Sequence, residues 1–325
     1  GYPHVQTFTY GLPDNAEARA SARIAESLGL PWQQVSHTPQ QLRRAWTDPS
    51  TRSFLREASA GASLPHIQDW YAMRRLTEEG VLPPGSIVIP GHTVVSSAKD
   101  EPLRHGRETT AAGIVRCLEP WHFALRSRPR RAVHLPSVVE ELRSFFTEVS
   151  LAGDRRSTMD AVRWFWQRER QAKYILNSMR GYEHVGLEWA LPMHELSVWE
   201  VYERAPDEAI ASREWYRAMT EELYTAVSGV AAPTTAPRSL ERSPARRTAA
   251  ALAKSTGLPQ LRSRLRTVQA VVDHPLGFDA LITGASPRRI AARTFRGMTP
   301  LGEFAEQFLA DEWVPGSALF KAHDE

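Results

Sequence analysis

One cysteine, Cys117, stands in 325 residues, so neither an internal disulfide nor a cysteine-rich zinc site can form, and Cys117 reads as a small packing residue. No apolar run reaches the roughly 18 residues that cross a bilayer. The first residues also lack the charged-then-apolar order of a signal peptide. These absences predict a cytoplasmic protein with no membrane partner. Charge of one sign is scarce as well: 40 Lys and Arg against 37 Asp and Glu leave a net charge of +3. The cations are scattered in pairs such as Arg43-Arg44, Arg74-Arg75, Arg130-Arg131 and Arg155-Arg156. Nucleic-acid binding needs a concentrated basic stripe, so no nucleic-acid partner is expected and the pairs read as solvated faces.

Recognisable catalytic signatures are missing too. There is no Walker loop, no GxGxxG after a strand, no HExxH, no GxSxG and no internal repeat. The 11 histidines are dispersed, which gives no metal cluster by spacing. What is present is an ordinary globular balance, 42% apolar and 24% charged, enough for one large core or two modest ones.

Residues 4–10, "HVQTFTY", alternate and are rich in β-formers, and "GLPDN" follows as a turn. In "NAEARASARIAESLGL" the spacing of Ala20, Ile24 and Leu28 predicts a helix, with Asn15 as N-cap and Gly29 as the stop. "PWQQVSH" reads as a second strand, so residues 4–37 form a strand-helix-strand unit, which packing favours as parallel. Helical patterns follow, including "IQDWYAMRRLTEEG" with Ile67, Tyr71 and Leu76 in phase, before the apolar strand "SIVIP" at 86–90. A doubly wound sheet takes ligands at the carboxyl ends of its strands. That places "TYGLP" and "PGHTVV" on one rim, and these two turns are the candidate site.

Beyond residue 103 no strand is expected, and helical patterns recur at 137–150, 157–180, 197–204 and 212–228. The longest sets Val162, Phe165, Trp166, Ala172, Ile175, Leu176 and Met179 on one side, an aromatic stripe that reads as core. The organisation predicted is therefore α/β. A partial doubly wound parallel sheet over 1–103 precedes a mostly helical part over 104–230, a Pro, Ser, Thr and Arg rich linker over 231–247, and a helical region over 248–325.

Three blocks in order, "TFTYGLPDNAEARASARIAESLGL", "IVIPGH" and "NSMRGYEHVGLEWALPMHE", resemble the synthetase domain of the asparagine synthase family over roughly residues 4–210. The resemblance implies an adenine nucleotide α-hydrolase-like sheet. It implies an ATP-dependent ligase that adenylates a carboxylate and then lets ammonia or an amine displace AMP, with the ammonia delivered by a separate N-terminal glutaminase domain or partner. The strand end Thr9, Tyr10, Gly11 is similar to the strand that lines the family's adenine pocket, and Gly91, His92, Thr93 to its second nucleotide-facing turn. Glu188, Pro192 and Glu195 match the family's Glu, Pro and carboxylate pattern, while Ala190 stands where the family has Arg. Arg170 and Lys173, on the charged side of the long helix, would reach a phosphate or, alternatively, form a solvated face. Glu188 and Lys173 are the catalytic candidates.

Two departures accompany the resemblance. The family's SGGxDS phosphate loop has no counterpart, and since the chain opens on Gly1 and enters a strand almost at once, a preceding segment is expected. Backbone N–H groups at a helix N-terminus hold such phosphates, so turnover of ATP depends on that segment and these 325 residues alone are expected to be an inactive fragment. Val95 stands where the family places the aspartate that holds Mg²⁺, and a hydrocarbon cannot ligate a cation that demands oxygen. Asp100, with Glu101 beside it, is the substitute metal ligand if the loop folds back. A degenerate nucleotide-binding or scaffold homologue is the competing expectation, favoured by Val95 and Ala190.

Overall fold

A computed structural model describes residues 2, 4–13, 15–46, 48–59, 63–92, 110–122, 136–148, 152–206, 209, 214–233, 268 and 287–309. Strand β1, Thr7–Gly11, runs into helix α1, Ala16–Ser27, and back through strand β2, Trp32–Ser36. The strands pair in parallel with Thr7 opposite Trp32 and Gly11 opposite Ser36, as the strand-helix-strand reading expected. Asn15 caps α1, its Oδ1 accepting from the Ala18 amide at 2.7 Å, and Gly29 follows the helix at φ 65°, a left-handed conformation that favours glycine. The buried positions of α1 are Ala18 and Ala25, while Ile24 and Leu28 are half-buried. Small residues on the inner face let the helix lie close over the strand pair.

Helices α2, Pro39–Trp46, and α3, Pro49–Ser59, precede α4, Trp70–Glu78. Their aromatic rings stack in a column, with Trp70 4.9 Å from both Trp46 and Phe54. Between α2 and α3, Asp48 is held at about 2 by hydrogen bonds from Ser50 and then by Arg74, against the weaker opposing pull of burial. Strand β3, Ile87–Val88, pairs in parallel with β4, Glu188–Trp189. The strand β4 corrects the expectation that none follows residue 103. It is two residues long, too short for any periodicity to register, and it exists because the Glu188 and Ala190 amides donate to the Ser86 and Val88 carbonyls.

Among the described residues no doubly wound sheet is present. The described strands make two small parallel sheets, β1 with β2 and β3 with β4. One apolar core serves both: Val35 of β2, Val88 of β3 and Leu187 before β4 meet Ala72, Met73 and Leu76 of α4, with Phe8 and Tyr10 of β1 packed against them. Burial of each such side chain is worth about 1.5–3 kcal/mol, so the sheets are tied by their shared helix, not by strand pairing.

The remainder of the described chain is helical, as expected. Helices α5, Ala111–His122, α6, Pro136–Glu148, and α7, Arg155–Phe165, enclose a second core built on Ile114, Phe146 and Met159. Past Phe165 the chain continues as a π-helical stretch, Trp166–Ile175, then a 3-10 turn, Leu176–Met179, and α8, Arg180–His184. This alters the predicted stripe: Val162, Phe165, Trp166 and Met179 are buried, but Ile175 and Leu176 are half-buried and Ala172 is exposed. An α period cannot be carried through turns that close from i to i+5. After a 3-10 turn at Pro192–His194 come α9, Leu196–Arg204, and α10, Glu214–Ser228, whose Tyr224 hydroxyl meets the Ser27 hydroxyl of α1. Two further helices, α11, Pro287–Phe295, and α12, Pro300–Leu309, follow, and Phe304 of α12 completes the aromatic column. Most of the expected linker, from residue 234 onward, lies outside the described residues.

Candidate functional site

The carboxyl ends of β1, β2 and β3 open toward one cluster of buried polar side chains. Its centre is Asp69, 6% exposed, immediately before α4. An Asp in that place ordinarily caps the helix, yet this one makes no side-chain cap bond. Instead its Oδ2 accepts from the Tyr182 hydroxyl at 2.5 Å. Its Oδ1 is buried 3.7 Å from the buried Nδ1 of His66, too far for a hydrogen bond, and neither atom has a hydrogen-bond partner among the described residues.

Around this carboxylate stand histidines and phenols. Tyr10 of β1 turns into the core, where burial first, and the Asp69 charge second, hold its hydroxyl well above the usual range. Tyr182 is raised by the same two causes in the same order. Both phenols therefore stay protonated and act as donors. His37, at the end of β2, stacks on Tyr10 at 6.3 Å and meets the edge of Tyr71 at 5.5 Å. Burial, assisted by Arg75, outweighs the Val35 carbonyl and lowers its pKa.

His92, two residues past the Pro90 break after β3, places Nε2 3.3 Å from the Ser178 hydroxyl, which is fully buried. Burial lowers its pKa, with Asp69 opposing and His66 assisting. His194 is lowered by burial and then by His92, and its Nε2 is buried without a hydrogen-bond partner among the described residues. The cluster thus presents neutral imidazoles and protonated phenols around one buried carboxylate. Neutral imidazole accepts protons near neutral pH, and the unpartnered Asp69 Oδ1 is a free acceptor among the described residues. A Ser-His-Asp relay is not assembled, because Asp69 accepts no bond from His92.

Of the two turns named from the sequence, the described parts come near Asp69 through Tyr10 and His92. Tyr10 and His92 both feel the Asp69 charge, and Gly11 and Gly91 lie beside them in the chain. Gly11, at φ 141°, is where glycine is required, since an added Cβ would also meet Asn15 Nδ2 at 3.1 Å. Gly91 has open space at its Cβ and no left-handed backbone. Thr9 faces the other side of the strand from Tyr10, where its hydroxyl accepts from Trp32 Nε1 at 3.4 Å.

Glu188 opens β4 on the exposed side of the short sheet, and its carboxylate makes no ion pair among the described residues. Lys173 is exposed and paired with Glu169 on its own helical stretch, apart from Asp69. Glu195 sits at the start of α9 without capping it. Thr93, Val95, Asp100 and Glu101 lie outside the described residues, as does the side chain of Cys117. Among the described residues no group of three or more His, Cys, Asp or Glu is placed to hold a metal ion. The donors of the rim, one carboxylate among imidazoles and phenols, do not fit Mg²⁺, which takes oxygen ligands in octahedral array.

Reasoning from sequence missed His66, Asp69, Ser178, Tyr182 and His194. "PHIQDW" carried one signal, a His and an Asp three residues apart at a helix start. That pattern reads first as a cap, and only the tertiary fold brings Tyr182 to it from 113 residues away. No family profile matches this chain, and no curated protein or solved structure is similar to it. No helix among the described residues is long and apolar enough to cross a membrane.

Proposed function

We propose that this chain is the nucleotide-binding and carboxylate-activating part of an asparagine synthase-like ligase, in which ATP adenylates a small-molecule carboxylate and ammonia or an amine then forms the amide. The observation that carries the reading is the rim: parallel strands end in Tyr10-Gly11, His37 and Gly91-His92 around the buried Asp69. Ligands of open parallel α/β sheets bind where strands end in this manner. The resemblance of the three sequence blocks supplies the reaction class.

In this reading β1–β2 and β3–β4 are the flanks of one doubly wound sheet. β1 pairs only with β2 and β3 only with β4 among the described residues, so each keeps one edge without a strand partner. A central parallel strand between them would complete the sheet and deliver its phosphate-holding turn to the same rim. Tyr10, Gly11, Gly91 and His92 then face the nucleotide, Thr93 does so by the resemblance alone, and Thr9, on the other side of β1, supports the strand from behind. A carboxylate oxygen attacks the α-phosphorus of ATP and pyrophosphate leaves. The nitrogen nucleophile attacks the acyl carbon, AMP leaves, and the nitrogen loses its proton. His92 and His194, held neutral by burial, are the rim groups that accept that proton. Glu188 and Lys173, both exposed, would act only from the outer margin of the site, and Mg²⁺ at Asp100 rests on the resemblance alone. A glutaminase domain or partner is the proposed source of ammonia.

The competing reading is a nucleotide-binding homologue without catalysis. Ala190 favours it: the position takes part in the β4 ladder through its amide and offers no cation. ATP–pyrophosphate exchange with the full-length protein, its phosphate-loop segment included, run over a panel of carboxylates including aspartate, separates the two. Carboxylate-dependent exchange above background is expected. Saturable ATP binding with no exchange for any acid would establish the non-catalytic reading instead.

A further inference from the structure

The long helix carries two cations that sequence reasoning treated alike, and the structure separates them. Lys173 is neutralised by Glu169, which also takes Arg168. Burial opposes ionisation of Glu169, yet these two cations keep its pKa lowered. Arg170, between them in the chain, has no carboxylate partner among the described residues. Its guanidinium lies 4.8 Å over the Trp166 ring, and its Nε is buried with no hydrogen-bond partner among the described residues. A buried guanidinium N–H without an acceptor is costly and uncommon in folded proteins.

A second donor stands close to it on the same stretch. Tyr174 lies four residues further along the π-helical stretch, on the same face, and its hydroxyl makes no hydrogen bond among the described residues. Burial raises its pKa while the Arg170 charge opposes the rise, so the phenol is protonated and feels the guanidinium. Its ring packs 5.2 Å from His66, which puts the pair at the edge of the Asp69 cluster. Ten residues of π-helix are rare, and such geometry recurs at functional sites. Here it aligns two donors that nothing in the described chain satisfies.

We propose that Arg170 and Tyr174 form an oxyanion-binding site on the wall of the candidate site, the planar guanidinium held flat by Trp166 and the Tyr174 hydroxyl adding a second donor. The ligand is a phosphate or carboxylate group, because both offer paired oxygens to a guanidinium fork. The site deepens the ligase reading, on which only the identity of the anion rests: a nucleotide phosphate or the carboxylate to be activated. Anion binding itself stands without any turnover.

Titration of the full chain with inorganic pyrophosphate and, separately, with acetate, at constant ionic strength and without metal, tests the assignment. The readouts are the Tyr and His ring signals by NMR and the thermal midpoint. Saturable binding of at least one anion is expected, with shifts at Tyr174 and His66. Arg170→Gln should weaken it about tenfold or more and Tyr174→Phe by less. Arg170→Lys, which keeps the charge and loses the fork, should fall between wild type and Arg170→Gln. Binding of pyrophosphate alone assigns a nucleotide phosphate, and binding of acetate alone assigns the substrate carboxylate. No saturable binding of either anion, or affinity unchanged in both Arg170→Gln and Tyr174→Phe, overturns the proposal. An Arg170→Gln protein with a lower unliganded midpoint and unchanged affinity would make the residue a packing element over Trp166. If that variant fails to fold, Tyr174→Phe decides alone. Failure of ATP–pyrophosphate exchange leaves these outcomes untouched.

Discussion

The core shared by α5, α6 and α7 and the core beneath the two small sheets bury different things. The first is Ile114, Val115, Leu118, Leu142, Phe145, Phe146, Met159 and their neighbours, and its buried Thr158 is satisfied by returning its hydroxyl to the Asp154 carbonyl. The second carries Asp69, Tyr182, Tyr10, His37 and His92 along its margin, and Asp69 Oδ1 and His37 Nδ1 have no hydrogen-bond partner among the described residues. A region that only has to be stable avoids such groups, since each unsatisfied donor or acceptor costs about 1–3 kcal/mol. Buried titratable groups gather at the strand ends, which is what places the candidate site in the sheet half, whereas the buried Arg163 of the helical cluster pairs with Asp160.

The comparison breaks most visibly at Phe146. It is fully buried among α5–α7, and Phe146→Ala should cost about 3–5 kcal/mol in urea unfolding through a cavity that the rings of Phe145 and Phe165 cannot refill. Pyrophosphate or acetate binding by the protein that remains folded should be unchanged. A loss of affinity in proportion to stability would mean that the two regions are not separate in role.

A smaller effect belongs to the Asp69 pair. Tyr182→Phe removes the one hydrogen bond to a buried carboxylate and should cost about 1–3 kcal/mol, whereas Asp69→Asn keeps an acceptor for Tyr182 and should cost less. Because Asp69 is a cause of the raised Tyr10 pKa, Asp69→Asn should also lower the pH at which Tyr10 ionises, read by ultraviolet titration of the phenol. Equal costs for the two substitutions would show that the carboxylate is stabilised by something other than Tyr182.

The smallest effect is in the acid limb. His37, His92 and His194 have folded pKa values below the ordinary 6.5, so the unfolded chain binds the proton better. Stability from these groups is complete above about pH 6.5 and is lost as pH falls below it toward the folded values. His92→Gln should flatten the decline of the thermal midpoint between pH 7 and 5.5, while Phe146→Ala, lowering the midpoint, should leave its slope alone. An unchanged slope in His92→Gln would remove His92 from the buried neutral cluster.

Local chemistry was legible where it was repetitive. The Asn15 cap, the Gly29 stop and the apolar alternation of β1 are encoded within a few residues, and the β1–α1–β2 unit follows from them with parallel pairing. That Tyr10 and His92 both lie near Asp69 depends on the packing of both small sheets against α4, which no local pattern encodes. Two-residue β4 and the π-helical stretch were not legible either, since a strand that short has no period and the turn from α to π depends on what packs around Trp166 and Met179.

The sequence by itself determined the β1–α1–β2 unit and the helical character of most of the rest, because those follow from spacing, capping and steric rules inside a short window. Only the tertiary structure decided what fills the rim. Asp69 becomes the centre of a site and not a helix cap because Tyr182 arrives from far along the chain, and Arg170 differs from Lys173 because Glu169 pairs with one and Trp166 holds the other. Partner choice among buried polar groups is a long-range contest, settled by which donors and acceptors the packed chain leaves within about 3 Å of each other.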